Sequence, residues 1–340
     1  MHPLRTLGLA AATLAALGLS SCNKNSGRPK VAFISNNAYD FWKIAQRGTE
    51  KAAEDFRVDV EFKMPSAGSA EQQRQIIEDL LAKGIQGIAI SPNDAANQTE
   101  FFKDEVSPKV PLITQDSDLP DPSARRCYIG TDNYKAGRAV GELVKKAVPG
   151  GGSIVIYVGK LDVQNAKERR QGVIDELTGR KRGKVDPNDK NLKCGKYTLI
   201  TTMTDGADSA ECQRKAEDTL TKYPEVKCLI GLWEYNPPAL LKAVQSSKLR
   251  RKPVIVGFDE NEETLEGIKR GLIVATVVQN PYEFGYQAIK ILAGLARGDE
   301  SVLKTRTDID KEGRIFIPHR VITKENVDEF HKQLRRLKGG

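Results

Sequence analysis

From Lys30 onward the chain alternates short apolar runs with longer amphipathic stretches, and it goes through that programme twice. Val31–Ser35, Val58–Lys63, Gly87–Ser91, Pro111–Gln115 and Cys127–Gly130 read as strands, while 41–56, 70–83 and 95–106 carry apolar residues at helical spacing. A helix over 134–147 and the turn Pro149–Gly152 open the second series. Its strands fall at Ser153–Val158, Tyr197–Met203, Cys228–Trp233, Pro253–Phe258 and Ile273–Val278, with helices around 166–178, 209–222, 237–247 and 261–270. Short, continuously apolar strands separated by helices imply a parallel sheet. Parallel neighbours need a crossover element, and the crossovers bury both faces. Two such series in roughly 300 residues exceed one small core, so the expected fold class is α/β with two doubly wound parallel-sheet lobes.

In sheets of this kind the ligand crevice lies beyond the carboxyl ends of the strands. The residues falling there are unusual as a group: Ser35, Tyr39, Phe41 and Trp42; Gln115, Asp116 and Asp118; Asn165 and Arg169; Trp233, Glu234 and Tyr235; Asp259 and Glu260; Gln279 and Asn280. A sugar ring has apolar C–H faces and a belt of hydroxyls. Aromatic rings cover the faces, and carboxylates, amides and guanidinium groups hold the hydroxyls. A small sugar or polyol is the ligand this set fits. Taken singly, each residue has a plainer role: Phe41 and Trp42 as helix–sheet packing, Asp116 and Asp259 as helix N-caps, Arg169 on a solvated face. The sugar reading rests on their coincidence at one edge.

The amino terminus addresses the compartment. Arg5, an uncharged apolar run over Leu7–Leu19, and then Leu19-Ser20-Ser21-Cys22 resemble a bacterial lipoprotein signal peptide with its lipobox. Residues 1–22 would be the signal, Cys22 the lipidated residue and 23–29 a polar tether; an ordinary secretory signal with an incidental cysteine is the other reading. No later run is apolar for long enough to cross a bilayer, so the expected attachment is by lipid only, in the periplasm or otherwise outside the cytoplasm. The formal charge of +8 comes from scattered clusters, Arg180–Arg182, Arg250–Lys252 and Arg335–Arg336, which read as solvated faces, and export argues against a nucleic-acid partner. Cys127, Cys194, Cys212 and Cys228 remain after Cys22, and bridges or buried thiols are both open. Their spacing resembles no zinc site, and only His319 and His331 follow residue 22, so no metal and no cofactor are expected.

Four stretches make the chain resemble the type I periplasmic binding proteins, specifically the ribose-binding-protein-like group of sugar ABC transporters. They are Ile34–Ser35 with Phe41–Trp42; Ser91–Asp94 with Val110–Asp116; Tyr128–Asn133 through Gly137; and Asn165–Gly172 with Val256–Asp259 and Ala275–Gln279. The resemblance spans about residues 30 to 320. It implies ligand contacts at Phe41, Trp42, Asp116, Arg169, Asp259 and Gln279, with Ser35 on the same wall. Tyr39 and Trp233 stand where the family's pattern has asparagine, Ser117 where it has arginine, and Gly206 where it has an aromatic. These departures argue against ribose itself.

The resemblance also implies three crossings between lobes, near Thr131–Asp132, near Gln279–Asn280 and near 306–310. Lobe one is then 30–131 plus 280–308, including the late helix 282–297, and lobe two is 132–279 plus 309–340. The implied function is that of an extracytoplasmic solute-binding protein, acting as a monomer, which closes about its hinge on a ligand and delivers it to an ABC permease in the inner membrane. Two rivals share the features. A lipoprotein presenting its ligand to a membrane sensor would use the same closed form. A glycosidase built on Asp116, Asp118 and Asp259 is set aside, because carboxylates in binding lobes hold hydroxyls and no nucleophile–histidine pair is readable.

Overall fold

The computed structural model describes residues 27–183, 186 and 189–338. The expected signal peptide, Cys22 and the tether up to residue 26 lie outside the described residues. The first series is β1 (Lys30–Ile34), α1 (Asp40–Phe56), β2 (Asp59–Lys63), α2 (Ala70–Ala82), β3 (Ile88–Ile90), α3 (Ala95–Phe101), β4 (Leu112–Gln115) and β5 (Cys127–Gly130). α4 (Asn133–Ala147) leads to β6 (Gly152–Val158), α5 (Gln164–Thr178), β7 (Leu192–Cys194), β8 (Tyr197–Thr204), α6 (Ser209–Lys222) and β9 (Cys228–Gly231). α7 (Asn236–Ser246), β10 (Val254–Phe258), α8 (Glu262–Lys269) and β11 (Ala275–Val278) complete the second series. α9 (Pro281–Leu295), α10 (Ser301–Lys304), β12 (Arg314–Phe316), β13 (Arg320–Thr323) and α11 (Val327–Lys338) follow.

The strands form two sheets, ordered β12-β5-β4-β3-β1-β2 and β13-β11-β10-β9-β6-β8-β7. Every pairing in the first is parallel. In the second only the two edges, β13 on β11 and β7 on β8, run antiparallel. Val31, Ala32, Phe33 and Ile34 of β1 are fully buried, because helices cover both faces and no alternation with polar residues is tolerated. Val31, Phe33 and Ile34 each contribute about 1.5–3 kcal/mol of burial.

Three short strands were not expected from the sequence: β7, β12 and β13, the last antiparallel on β11. β7 pairs with β8. β12 joins β5 in the first sheet, so the last return to the second sheet comes after Phe316 and not at 306–310. Three residues with an arginine at their head carry too little periodicity to announce an edge strand.

Local chemistry places the elements around the strand ends. Asp132, Asp208, Asn261 and Asn280 accept hydrogen bonds from backbone N–H groups in the first turns of α4, α6, α8 and α9, satisfying donors that a helix start leaves open. Pro237 and Pro238 stand in the first turn of α7, where a missing N–H costs nothing. Two helix pairs cross backbone to backbone. A Cβ on Gly48 of α1 would sit 1.9 Å from the Tyr282 carbonyl of α9, and one on Gly137 of α4 would sit 2.1 Å from the Arg169 carbonyl of α5. The four described cysteines are buried free thiols, and burial pushes the Cys127 and Cys212 thiols up to about 12. None of the described helices is long and apolar enough to cross a membrane.

Candidate functional site

The two sheets end in equivalent turns. Asp116 follows β4 and Asp259 follows β10, and each has φ 61°, in the left-handed region. Each donates its backbone N–H to the neighbouring strand: Asp116 to the Ile129 carbonyl at 3.0 Å, Asp259 to the Val277 carbonyl at 2.7 Å. Aspartate enters this region more readily than most residues, at a cost on the order of 1 kcal/mol. The turn lifts each carboxylate off its strand. Asp116 Oδ2 accepts from Ser91 Oγ at 3.1 Å, and the Tyr128 hydroxyl holds the Asp116 carbonyl at 3.0 Å. Neither aspartate caps a helix; Asn261 caps α8.

Around Asp259 the groups converge from several elements. Gln279 Nε2 donates to its Oδ1 at 3.0 Å, and Arg169 Nη1 lies 3.7 Å from its Oδ2. Gln279 Oε1 accepts from Thr131 Oγ1 at 3.0 Å, which ties two of the chain's crossings between the sheets to each other. Arg169 is only 2 % exposed. Its Nε donates to Asn133 Oδ1 and its Nη1 to the Leu232 carbonyl, both at 2.9 Å, and its guanidinium lies 3.8 Å from the Phe258 ring centre. A buried cation needs such partners. Burial raises the Asp116 carboxyl above its ordinary value against the opposing pull of Arg169. The same contest leaves Asp259 raised to about 6. Glu260, next in the chain, is buried with one carboxylate oxygen unpartnered, and burial beside Asp259 pushes it up to about 8.

The aromatic residues divide differently from the sequence reading. Phe41 is half-buried, edge-on to Trp42 with 4.9 Å between ring centres. Trp42 is 2 % exposed, packed in the lobe-one core, with its indole N–H donated to Asn36 Oδ1 at 2.9 Å. It backs Phe41 and does not form a second open face. Tyr39 is 71 % exposed at the residue preceding α1, on the rim. Ser35 is fully buried, and its hydroxyl is committed to the Asn37 carbonyl at 2.5 Å. Trp233 is half-buried; its ring packs against Gly159, where a Cβ would come within 1.9 Å, and its indole N–H reaches Asn165 Oδ1 at 3.3 Å.

Three residues that hold the site escaped the sequence reading: Thr131, Asn133 and Asp205. Asp205 directly follows β8, and the strand-end rule that selected Asp116 selects it too. Asn133 lies in one of the stretches that carry the resemblance, but its bond to Arg169, 36 residues away, cannot be read from spacing.

Two open α/β lobes with carboxylate, amide and guanidinium groups gathered at their facing strand ends define a cleft-forming solute-binding protein. Residues 31–300 match the family model described as periplasmic binding protein domain, and the chain belongs to that family. It falls in the type I, ribose-binding-like group. It is similar to the D-allose-binding periplasmic protein of Escherichia coli, at 23 % identity over 74 % of this chain and 79 % of the relative. It is also similar to the ribose import binding protein RbsB of Salmonella typhimurium, at 20 % identity over 91 % of this chain and 97 % of the relative. Among solved structures, a solute-binding protein of an ABC transporter from Burkholderia graminis, in complex with D-arabinose, matches with a TM-score of 0.75 and 28 % identity over 89 % of this chain and 98 % of that one. These relatives are binding proteins and not enzymes, and this chain is one too.

Proposed function

We propose that this protein captures a small sugar or polyol between its lobes and presents it, closed, to the permease of an ABC importer. The observation that carries the reading is the convergence of Asp116 with Arg169, Asp259 and Gln279, hydrogen-bonding groups from the ends of both sheets. Asp116 and Arg169 hold hydroxyls from opposite sides, Asp259 and Gln279 complete the polar cage, and Phe41 and Trp233 supply the apolar faces. Closure about three crossings, near Thr131, near Gln279 and after Phe316, buries the ligand; the lobes are 30–131 with 280–316, and 132–279 with 317–340. Cys22 carries the lipid that keeps the mature protein at a bacterial membrane outside the cytoplasm, and the ligand-bound monomer is the form the permease meets. The names of the relatives, ribose, allose and arabinose binders, support a monosaccharide.

A thermal-shift screen of the unlipidated mature protein against pentoses, hexoses, polyols, amino acids and nucleosides tests this. A ligand bound only by the folded form stabilises by about 2.7 kcal/mol at a concentration of 100 Kd. One sugar or polyol should raise the melting temperature, and Asp116→Ala should abolish the shift. A response to an amino acid or nucleoside with none to any sugar would overturn the ligand class.

A further inference from the structure

We infer that Asp205, Tyr235 and Asn236 are positioning residues that fix Trp233 as a rigid apolar face on the lobe-two side of the cleft. The inference rests on the sugar-binding reading above and extends it to how the ligand's ring is selected.

Trp233 is held at four points. Its backbone N–H donates to Asn236 Oδ1 at 2.8 Å, its indole N–H reaches Asn165, its six-membered ring packs against Gly159, and it stands roughly perpendicular to Tyr235 with ring centres 6.4 Å apart and planes at 77°. Two of these points depend on one buried carboxylate. Asp205 is 4 % exposed at the end of β8. Its Oδ1 accepts from the Tyr235 hydroxyl and from the Ala207 N–H, and its Oδ2 accepts from Asn236 Nδ2 at 3.0 Å. Asn236 Nδ2 also touches the buried Cys212 sulfur at 3.4 Å. Asn236 therefore spends its carbonyl on the Trp233 backbone and its amide on Asp205, while Tyr235 spends its hydroxyl on Asp205 and its ring on Trp233.

Packing α7 onto the sheet does not require this. The apolar residues of α7 from Ala239 onward are buried without polar help. A buried carboxylate that takes two of its three donors from Tyr235 and Asn236, which themselves touch a half-buried tryptophan, has the form of a support built for orientation, where a satisfied network in a low dielectric is stiff. The neighbouring strand end leaves room for the ring to matter: beside Asp205, Gly206 is followed outward by open space, with no atom within 4 Å of where its Cβ would be. Trp233 is thus the aromatic wall at this end of lobe two, and a ring immobilised before binding loses little freedom when a ligand arrives. It favours a ligand whose ring offers a flat C–H face.

Tyr235→Phe tests the inference, since it removes one hydroxyl and keeps the ring. Its affinity is compared with that of the parent for the panel sugar giving the largest thermal shift, and again in a Trp233→Ala background. The loss of a hydrogen bond to a charged acceptor predicts roughly tenfold weaker binding in the parent, and a change below about twofold once Trp233 is gone, because coupled residues are non-additive. In the ligand-free protein, near-ultraviolet circular dichroism and acrylamide quenching should show Trp233 loosened, with the Trp233→Ala protein supplying the Trp42 background. Asp205→Asn, which keeps the shape and loses the charge, should act in the same direction as a second variant. Equal losses of affinity in both backgrounds, or an unchanged Trp233 signal, would overturn the inference. A panel in which no sugar binds would refute the sugar reading alone, leaving the spectroscopic comparison to decide the positioning role.

Discussion

Replacing Gly137 with alanine should damage binding out of proportion to stability. The added Cβ would stand 2.1 Å from the Arg169 carbonyl, and real contacts of this kind essentially never fall below 3.0 Å, so α4 and α5 must part by about 0.9 Å there. Overpacking of this size costs about 1–3 kcal/mol, and alanine's better helix propensity returns about 1 kcal/mol. The net loss is then about 0–2 kcal/mol, or up to roughly 8 °C in melting temperature at about 2–4 °C per kcal/mol. The clash, however, is with Arg169 itself. A shift of that size carries its two 2.9 Å hydrogen bonds, to Asn133 and to the Leu232 carbonyl, beyond useful length. With bonds to a charged group worth about 1.5–3 kcal/mol each, misplacing the guanidinium should weaken sugar binding by tenfold or more. Gly48→Ala is the comparison. It makes the same clash, 1.9 Å from the Tyr282 carbonyl, between α1 and α9 and away from Arg169. Melting curves and calorimetric titrations of the two variants should give similar stability losses, with affinity falling only for Gly137→Ala. Equal affinity losses in both would refute the argument that this crossing aims Arg169.

Arg169→Lys keeps the charge and loses the fork that reaches Asn133 and Leu232 together, so titration should show at least tenfold weaker binding with the fold retained. Glu260 is raised to about 8, so the folded state holds a proton that the unfolded chain releases near 4.5. That contribution is complete below about pH 4.5 and is lost as pH rises toward 8. Melting temperature should fall across that window, and Glu260→Gln should flatten the curve; parallel curves would contradict the assignment. Ile44 of α1 is buried in the apolar cluster that contains Phe330 and Leu334 of α11. Ile44→Ala should therefore cost about 2–4 kcal/mol by denaturant unfolding, and less than about 1 kcal/mol in a chain ending at Asn326.

Much of the architecture was legible because it is written in periodicity. Strands such as Val31–Ile34 are apolar throughout since both faces are covered, and the strand-end rule then led directly to Asp116, Asp259 and Gln279. Periodicity does not say where individual side chains turn. Phe41 and Trp42 are adjacent on the first turn of α1, so one had to face the core, and the order of residues does not say which. Ser35 stands at a strand end like Asp116, yet without a left-handed turn its hydroxyl folds back onto the Asn37 carbonyl. Tyr39 sits before the helix begins, with no packing surface beneath it. Asp205 is masked in the sequence because Asp-Gly after a strand reads first as turn chemistry.

The late return of the chain to the first sheet governs the order in which the molecule can be assembled. One side of the lobe-one core is α9, whose Phe284, Ala288, Ile289 and Leu292 cover β1 and its neighbours. Until residue 295 has arrived, the first hundred residues have a sheet with an open apolar face. Until 314–323 arrive, β5 and β11 each keep an unpaired edge, a template for pairing with another chain. A chain delivered amino terminus first therefore stays incomplete in both lobes until nearly its last residues. That delay leaves any prematurely ended product prone to aggregate.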